Sequence, residues 1–251
     1  ASAVAWTLSQ CHFKVALLET EHPLAVRRLV SFCEAVYEGR KMVEGLEAVL
    51  VDSTEAFSEI WDSGAIPLLM DPDLNQALDV KPDILVDAIL AKTNIGTRLD
   101  MASLVVGLGP GFTAGRDVHQ VIETNRGHNL GRIIYQGEAE PDTGRPGNIE
   151  GFTEERVLRA PVEGIMKTFK DIGDRIKQGE SVAEVAGRSI VGEIEGVLRG
   201  MIRDGTFVHS GLKVGDIDPR GKPEFCDTIS EKARAIAGAV LVGIMTVFNK
   251  P

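Results

Sequence analysis

Apolar positions along the chain change period several times, and each change marks an element. Val4, Ala5, Leu8 and Cys11 recur at helical spacing, which predicts a helix with one buried face. The all-apolar run Val15-Ala16-Leu17-Leu18, closed by Glu19, reads as a strand buried on both sides. The alternation continues with a helix over 23–37, a strand over 46–51, a helix over 53–62, a strand over 66–70, and further strands over 84–90 and 104–108. Asp52-Ser53-Thr54-Glu55 offers capping chemistry for the second of these helices, and Gly64 is placed to stop it. Apolar strands alternating with helices predict an α/β fold around a mostly parallel sheet covered on both faces.

From 137 to 151 the pattern dissolves into Glu, Pro, Asp, Thr and Gly, punctuated by Pro141, Gly144, Pro146 and Gly147, and a domain boundary is expected there. Beyond it the chain repeats itself. Residues 159–166 align without gaps on 191–198, an offset of 32 residues. In that register Gly164, Gly173 and Gly179 fall on Gly196, Gly205 and Gly211, and Val162, Ile165, Ile176, Val182 and Val185 fall on Ile194, Val197, Val208, Val214 and Ile217. Short strands separated by Gly turns leave one half with a bare apolar face, so two halves are expected to close on each other. The last apolar segment, 229–248, reads as a helix rich in small residues. The expected organisation is an α/β domain over 1–137, a linker over 138–155, a duplicated β domain over 156–221 and a C-terminal helical segment over 222–251.

Composition narrows the function classes. A formal net charge of -10 and the absence of any Lys/Arg run with interleaved aromatics argue against nucleic acid as a partner. No apolar stretch reaches the roughly 18 residues of a membrane span, so a soluble protein is expected. Cys11, Cys33 and Cys226 are odd in number and widely spaced, which fits a reducing cytoplasm better than a disulfide framework or a zinc site. Cys33 is expected to be a small buried side chain.

Ligands of parallel α/β sheets sit beyond the carboxyl ends of the strands. Here those positions hold Glu19, Asp71, Lys92 and the loop Gly109-Pro-Gly-Phe-Thr-Ala-Gly115. Glu19 is either a ribose-binding acid or a solvated strand end. Gly109, Gly111, Thr113 and Gly115 are either an anion-binding concavity of backbone N–H groups, weakened by Pro110, or a tight turn that needs glycine. Lys92, after Asp87 and the apolar 88–90, is a phosphate or carboxylate ligand or a solvated strand end. Asp117 and His119 share one face if extended, with Glu123 in the same alternation; they read as an acid/base dyad, a metal pair or a polar strand face. Asn125, Arg126 and His128 cluster before the apolar 133–135, with Arg126 suited to an anionic oxygen. Arg27 and Arg28 read as a charged helix face or a contact to a ligand or partner.

The duplicated segment, with Ala160-Pro-Val-Glu-Gly164 and Ile172-Gly-Asp-Arg-Ile-Lys-Gln-Gly-Glu180, is similar to the barrel-sandwich hybrid of lipoyl and biotinyl carrier domains. Those carriers hold a modified Lys between the halves. This chain has Ala186-Gly-Arg-Ser-Ile190 there, so no covalent lipoyl or biotin is expected. Seven blocks in order (Glu21–Arg28, Phe32–Glu38, Val86–Lys92, Leu108–Gly115, Asp117–His119, Glu123–His128 and Gly215–Arg220) resemble the accessory proteins of the selenium-dependent molybdenum hydroxylase system. Members of that family begin with a strand and a turn of the form Gly-Gly/Ala-Gly-Asp-Leu ahead of the stretch matching Ala1–Ala5. The resemblance therefore implies an N-terminally truncated, Rossmann-like parallel sheet joined to the barrel-sandwich hybrid and the C-terminal helix.

It also implies a prokaryotic cytoplasmic protein that helps to mature a molybdenum hydroxylase, with that enzyme or its maturation machinery as partner. The expected ligand is a nucleotide or another phosphate-bearing molecule, NAD(P) or a molybdopterin-type compound, and the metal is expected to be none. Two other readings compete: an NAD(P)-linked oxidoreductase using His119 and Asp117 as a proton relay, and a ligand-free scaffold. Homo-oligomerisation stays open.

Overall fold

The computed structural model describes residues 1–249 and has an α/β fold with parallel strands, a separate all-β part and a C-terminal helix. It divides into two compact units, one made of Ala1–Thr20, Leu46–Thr143 and the chain from Ile229 onward, the other of Glu21–Gly45 and Gly144–Thr228. The crossing at 143/144 falls inside the expected linker. Two segments group differently from the linear division: 21–45 belongs with the duplicated β part, and the C-terminal helix with the α/β part.

In the first unit the parallel strands divide between two sheets rather than forming one. Leu17–Glu19, Ile66–Met70 and Leu46–Val51 pair in that order, all parallel. Ile84–Asp87, Leu104–Leu108 and Gln120–Ile122 pair in parallel in the other, and Ile133–Ile134 adds an antiparallel edge. The all-apolar strand Leu104–Leu108 is buried throughout, as a central strand must be. One of its faces meets Val4 and Leu8 of helix Ser2–Gln10 together with Ala237, Val240 and Ile244 of helix Glu231–Phe248. Ser230 caps the long helix by accepting from the Ala233 N–H, which fixes its start two residues into the expected 229–248. The other face is covered by Phe112, Val118 and Ala139 together with Ala114 of the short strand Thr113–Ala114.

Three local expectations are corrected. The helix over 23–37 is two 3-10 turns, Arg28–Val30 and Phe32–Glu34, followed by the short helix Ala35–Glu38. Phe32, Cys33, Glu34 and Ala35 are buried in succession, a pattern no single helical face satisfies. The helix over 53–62 is confined to Phe57–Asp62 after a turn at Thr54–Ala56, and Ser53 makes no side-chain cap; Gly64 does end it, at φ +83°. The strand over 84–90 stops at Asp87 because that carboxylate turns the chain, accepting from Ile89 N–H.

The second unit realises the duplication as two four-stranded sheets. One runs Arg188–Val191, Ser181–Val185, Gly164–Thr168, Phe207–Val208; the other runs Val157–Arg159, Lys213–Asp218, Gly196–Met201, Arg175–Ile176. Each sheet thus takes its two long strands from one copy of the repeat and its two outer strands from the other. Neither copy can complete a sheet alone, which is the physical reason the halves close on each other. Ile176, Val182, Val185, Val208, Val214 and Ile217, all repeat-paired aliphatics, form the shared core with Leu198 and Met201. Gly173 and Gly205, and likewise Gly179 and Gly211, occupy matching turns with φ between +76° and +106°. The hairpin between Ser181–Val185 and Arg188–Val191 turns at Ala186 and Gly187, both at positive φ.

Candidate functional site

At the carboxyl edges of the parallel strands, acids hold the loops. Asp71 accepts from the backbone N–H groups of Asn75, Gln76 and Ala77 at 2.8–2.9 Å. Asp87 takes the Thr97 hydroxyl at 2.6 Å as well as Ile89 N–H, clamping both ends of the loop between them. Glu123 accepts from Asn125 N–H and Glu140 N–H, each at 2.7 Å. All three acids are buried, and such charge-assisted bonds keep a buried carboxylate compensated.

The Gly109–Gly115 loop is a turn packed by its own chain. Gly109 N–H is already bonded to Ile122 C=O, and Pro110 has no N–H. A Cβ on Gly109 would lie 2.5 Å from the Thr124 hydroxyl, and one on Gly111 would lie 2.8 Å from the Lys92–Thr93 backbone. Both glycines have positive φ, so close approach and backbone conformation account for them, and the concavity expected to hold an anion is filled. Lys92 is brought to this loop by its backbone; its side chain is exposed. Thr113 donates its hydroxyl to Glu138 at 2.7 Å, and Gly115 N–H bonds Val118 C=O.

Asp117 and His119 do not form a dyad. Asp117 accepts from Thr113 N–H at 2.8 Å and from the Arg116 guanidinium at 3.0 and 3.1 Å. The Arg116 bond holds its carboxyl below the usual range, outweighing a smaller upward push from desolvation. His119 Nδ1 accepts from Val105 N–H at 3.0 Å, at the amino end of the parallel strands, whereas Gly109 and Glu123 follow their carboxyl ends. Glu19 ends a strand of the other sheet and accepts from its neighbour Thr20 N–H. Of the cluster after 124, Asn125 binds Glu140 at 2.6 Å and Arg126 pairs with Glu231 at 2.6 Å, while His128 is exposed. Lys92, Gly109, Gly111 and Thr113, with Asp117 bonded to Thr113, thus gather around one loop, whereas Glu19 lies on the other sheet and His119 at the opposite edge. Among the described residues no group of three or more His, Cys, Asp or Glu side chains is placed to hold a metal.

A cleft of about 610 Å³ does open in this unit, lined by Asn94, Gly96, Thr97, Arg98, Leu99, Asp100, Arg116 and Asp117. Only Asp117 among them was singled out in the sequence. The available signal was the Asn94-Ile-Gly-Thr97 turn, in which Asn94 accepts from Gly96 and Thr97 N–H at 2.9 and 2.8 Å and donates to Thr97 C=O. Arg98 and Arg116 arrive from segments far apart in sequence, which no local pattern joins.

In the second unit several charges are buried or half-buried. Arg27 donates to Phe225 C=O at 2.8 Å and Thr228 C=O at 3.1 Å; burial, then the nearby Arg199, pushes its pKa down to about 10. Arg28 donates to Met201 C=O at 2.7 Å and pairs with Glu34, which Arg203 also engages. Arg27 and Arg28 thus tie the 21–45 segment to the barrel rather than lining a helix face. Cys33 is buried, with Sγ 3.1 Å from the Ser31 hydroxyl.

No protein-family model matches the chain. It is 46% identical over 250 residues to the uncharacterized protein YqeB of Escherichia coli (strain K12), a match covering 100% of this chain and 46% of that protein. The chain spans about half the length of this curated relative. Among solved structures it is similar to the product-bound ectoine utilization protein EutE of Ruegeria pomeroyi, at 13% identity and TM-score 0.29 over 81% of this chain and 84% of that one. An aspartoacylase family protein of Mesorhizobium loti matches 26% of this chain and 23% of its own, at 18% identity and TM-score 0.24. Among the described residues no helix is long and apolar enough to cross a membrane.

Proposed function

We propose that this chain serves as a non-catalytic accessory factor in the maturation of a selenium-dependent molybdenum hydroxylase, in the cytoplasm of a prokaryote. The partnership rests on the seven ordered sequence blocks that resemble that accessory family. The observation that carries the non-catalytic half is the separate anchoring of Asp117 and His119: one is clamped by Arg116 and Thr113 N–H, the other accepts from Val105 N–H at the amino edge of the sheet. A proton relay needs its two members within hydrogen-bond reach of each other or of one substrate atom. The strand-end acids support the same reading, because each is engaged by loop N–H or hydroxyl groups and works as a fastener.

The test is genetic and uses the complete protein. Deleting its gene from a strain that makes such a hydroxylase is expected to abolish hydroxylase activity, and complementation with His119→Ala to restore it. Full hydroxylase activity in the deletion strain overturns the accessory role. Nicotinamide-dependent turnover by the purified protein that disappears in His119→Ala overturns the non-catalytic half in favour of an oxidoreductase.

A further inference from the structure

We infer that the cleft between the 94–100 segment and the Arg116–Asp117 turn is an anion site for the phosphate or carboxylate group of a small molecule. Its volume of about 610 Å³ lies in the range of small-ligand pockets. Two guanidinium groups from separate segments line it, and each is anchored by an adjacent carboxylate in a way that leaves donors over.

Arg116 binds Asp117 through Nε and Nη2 at 3.1 and 3.0 Å, and Asp117 is itself pinned by Thr113 N–H at 2.8 Å. Arg98 binds Asp100 through Nε alone, at 3.1 Å. Nη1 of Arg116 and both terminal nitrogens of Arg98 meet no acceptor among the described residues. Both Asp117 oxygens are already accepting, Asp100 keeps one oxygen free, and Glu138, whose charge also acts on Arg116, takes the Thr113 hydroxyl. The lining is neutral in formal charge but rich in unused, oriented donors. A planar fork held in place suits the paired oxygens of a phosphate or carboxylate.

This assignment deepens the accessory-factor reading by giving its phosphate-bearing ligand a place other than the filled Gly109–Gly115 turn. The two fail separately, because one is read by binding to the purified protein and the other by hydroxylase activity in cells. Isothermal titration of the complete protein with inorganic pyrophosphate, AMP and succinate is the experiment. Saturable binding in the micromolar to millimolar range is expected, with the pyrophosphate and succinate arms telling a phosphate ligand from a carboxylate one. Arg98→Ala with Arg116→Ala should weaken binding by about tenfold or more, and Arg116→Lys by less, because Lys keeps the charge and loses the fork. Thermal unfolding of the variants should match the parent, since both side chains are largely exposed. No saturable binding of any of the three at millimolar concentration, or binding that the double substitution leaves unchanged, overturns the site.

Discussion

The two sheets of the duplicated unit descend from one pattern and face different surroundings. Ile165 and Val197 occupy equivalent positions, yet Ile165 is 57% exposed and Val197 fully buried. Lys167 and Glu184 form an open pair at 3.6 Å; their equivalents Arg199 and Asp216 are buried, each with a buried or half-buried ionic partner in Asp218 and Arg156. The cause is a cover that only one sheet receives. Strand Gly196–Met201 lies beneath the Arg28–Val30 and Pro223–Phe225 turns, with Met201 N–H bonded to Val26 C=O at 2.8 Å and Arg199 Nε to Phe225 C=O at 3.3 Å. Strand Gly164–Thr168 leaves Ile165 and its cross-strand neighbour Phe207 exposed. Duplication thus supplied two like faces, and the chain adapted one of them by burying charge under its own segments.

The largest effect expected from this difference is at Asp218. It engages Arg220 at 2.6 Å and Arg199 at 3.3 Å, whereas its equivalent in the first copy, Ala186, carries no charge. Asp218→Ala should destabilise the barrel unit by about 3–5 kcal/mol, because two cations lose their buried counter-charge. Urea unfolding monitored in that unit checks this; a loss under about 1 kcal/mol would mean that the cover is not held by these ions. Desolvation pushes the Asp218 carboxyl up, but the Arg220 side chain, the Arg220 backbone N–H and Arg199 together outweigh it and hold it below the usual range. A depressed carboxyl stabilises the fold fully above its unfolded pKa of about 4 and loses that contribution as pH falls toward the lower folded value. The parent should therefore lose stability below about pH 4 more steeply than Asp218→Ala.

A smaller effect is expected where the cover touches the strand. A Cβ on Gly200 would lie 2.7 Å from Val26 C=O, and the equivalent residue of the open sheet is Thr168, which has a full side chain. Gly200→Ala should cost about 1–3 kcal/mol by forcing the 21–45 segment outward. Thr168→Ala should cost no more than about 1 kcal/mol, the value of its long hydroxyl bond to Asp204. Equal effects at the two positions would show that the cover does not rest on Gly200 in solution.

How much of this was legible in the sequence differs by region for physical reasons. The repeat was legible because matched glycines and aliphatics do the same local job in each copy: Gly173 and Gly205 turn the chain, and Val182 and Val214 fill the core. The α/β class followed from the all-apolar strand 104–108, whose burial leaves no polar position to alternate. The cover was not legible. Arg27 and Arg28 look like a solvated helix face until the carbonyls of Phe225 and Met201, about 170–200 residues away, are seen to accept from them. The candidate site was legible only in part, for the same reason. Asp117 and Glu123 read as one alternating face of an extended stretch, but which backbone N–H groups they hold is decided by loop closure, and Arg98 and Arg116 come to line one cleft only in three dimensions.

The smallest predicted effects lie on the open sheet, and they sharpen the comparison because they should be nearly silent. Glu184→Ala removes a half-exposed pair to Lys167 at 3.6 Å, worth no more than about 1 kcal/mol and diminished further by salt. Ile165→Thr keeps the β-branch that suits a strand and replaces an exposed ethyl group with a hydroxyl, so unfolding should shift by no more than about 0.5 kcal/mol. Val197→Thr, at the equivalent buried position, places a hydroxyl under the cover and should cost about 1–3 kcal/mol. If Ile165→Thr proved as costly as Val197→Thr in the same urea titration, the first sheet would have to be shielded in solution as well. The cover over Gly196–Met201 would then not be what distinguishes the two copies.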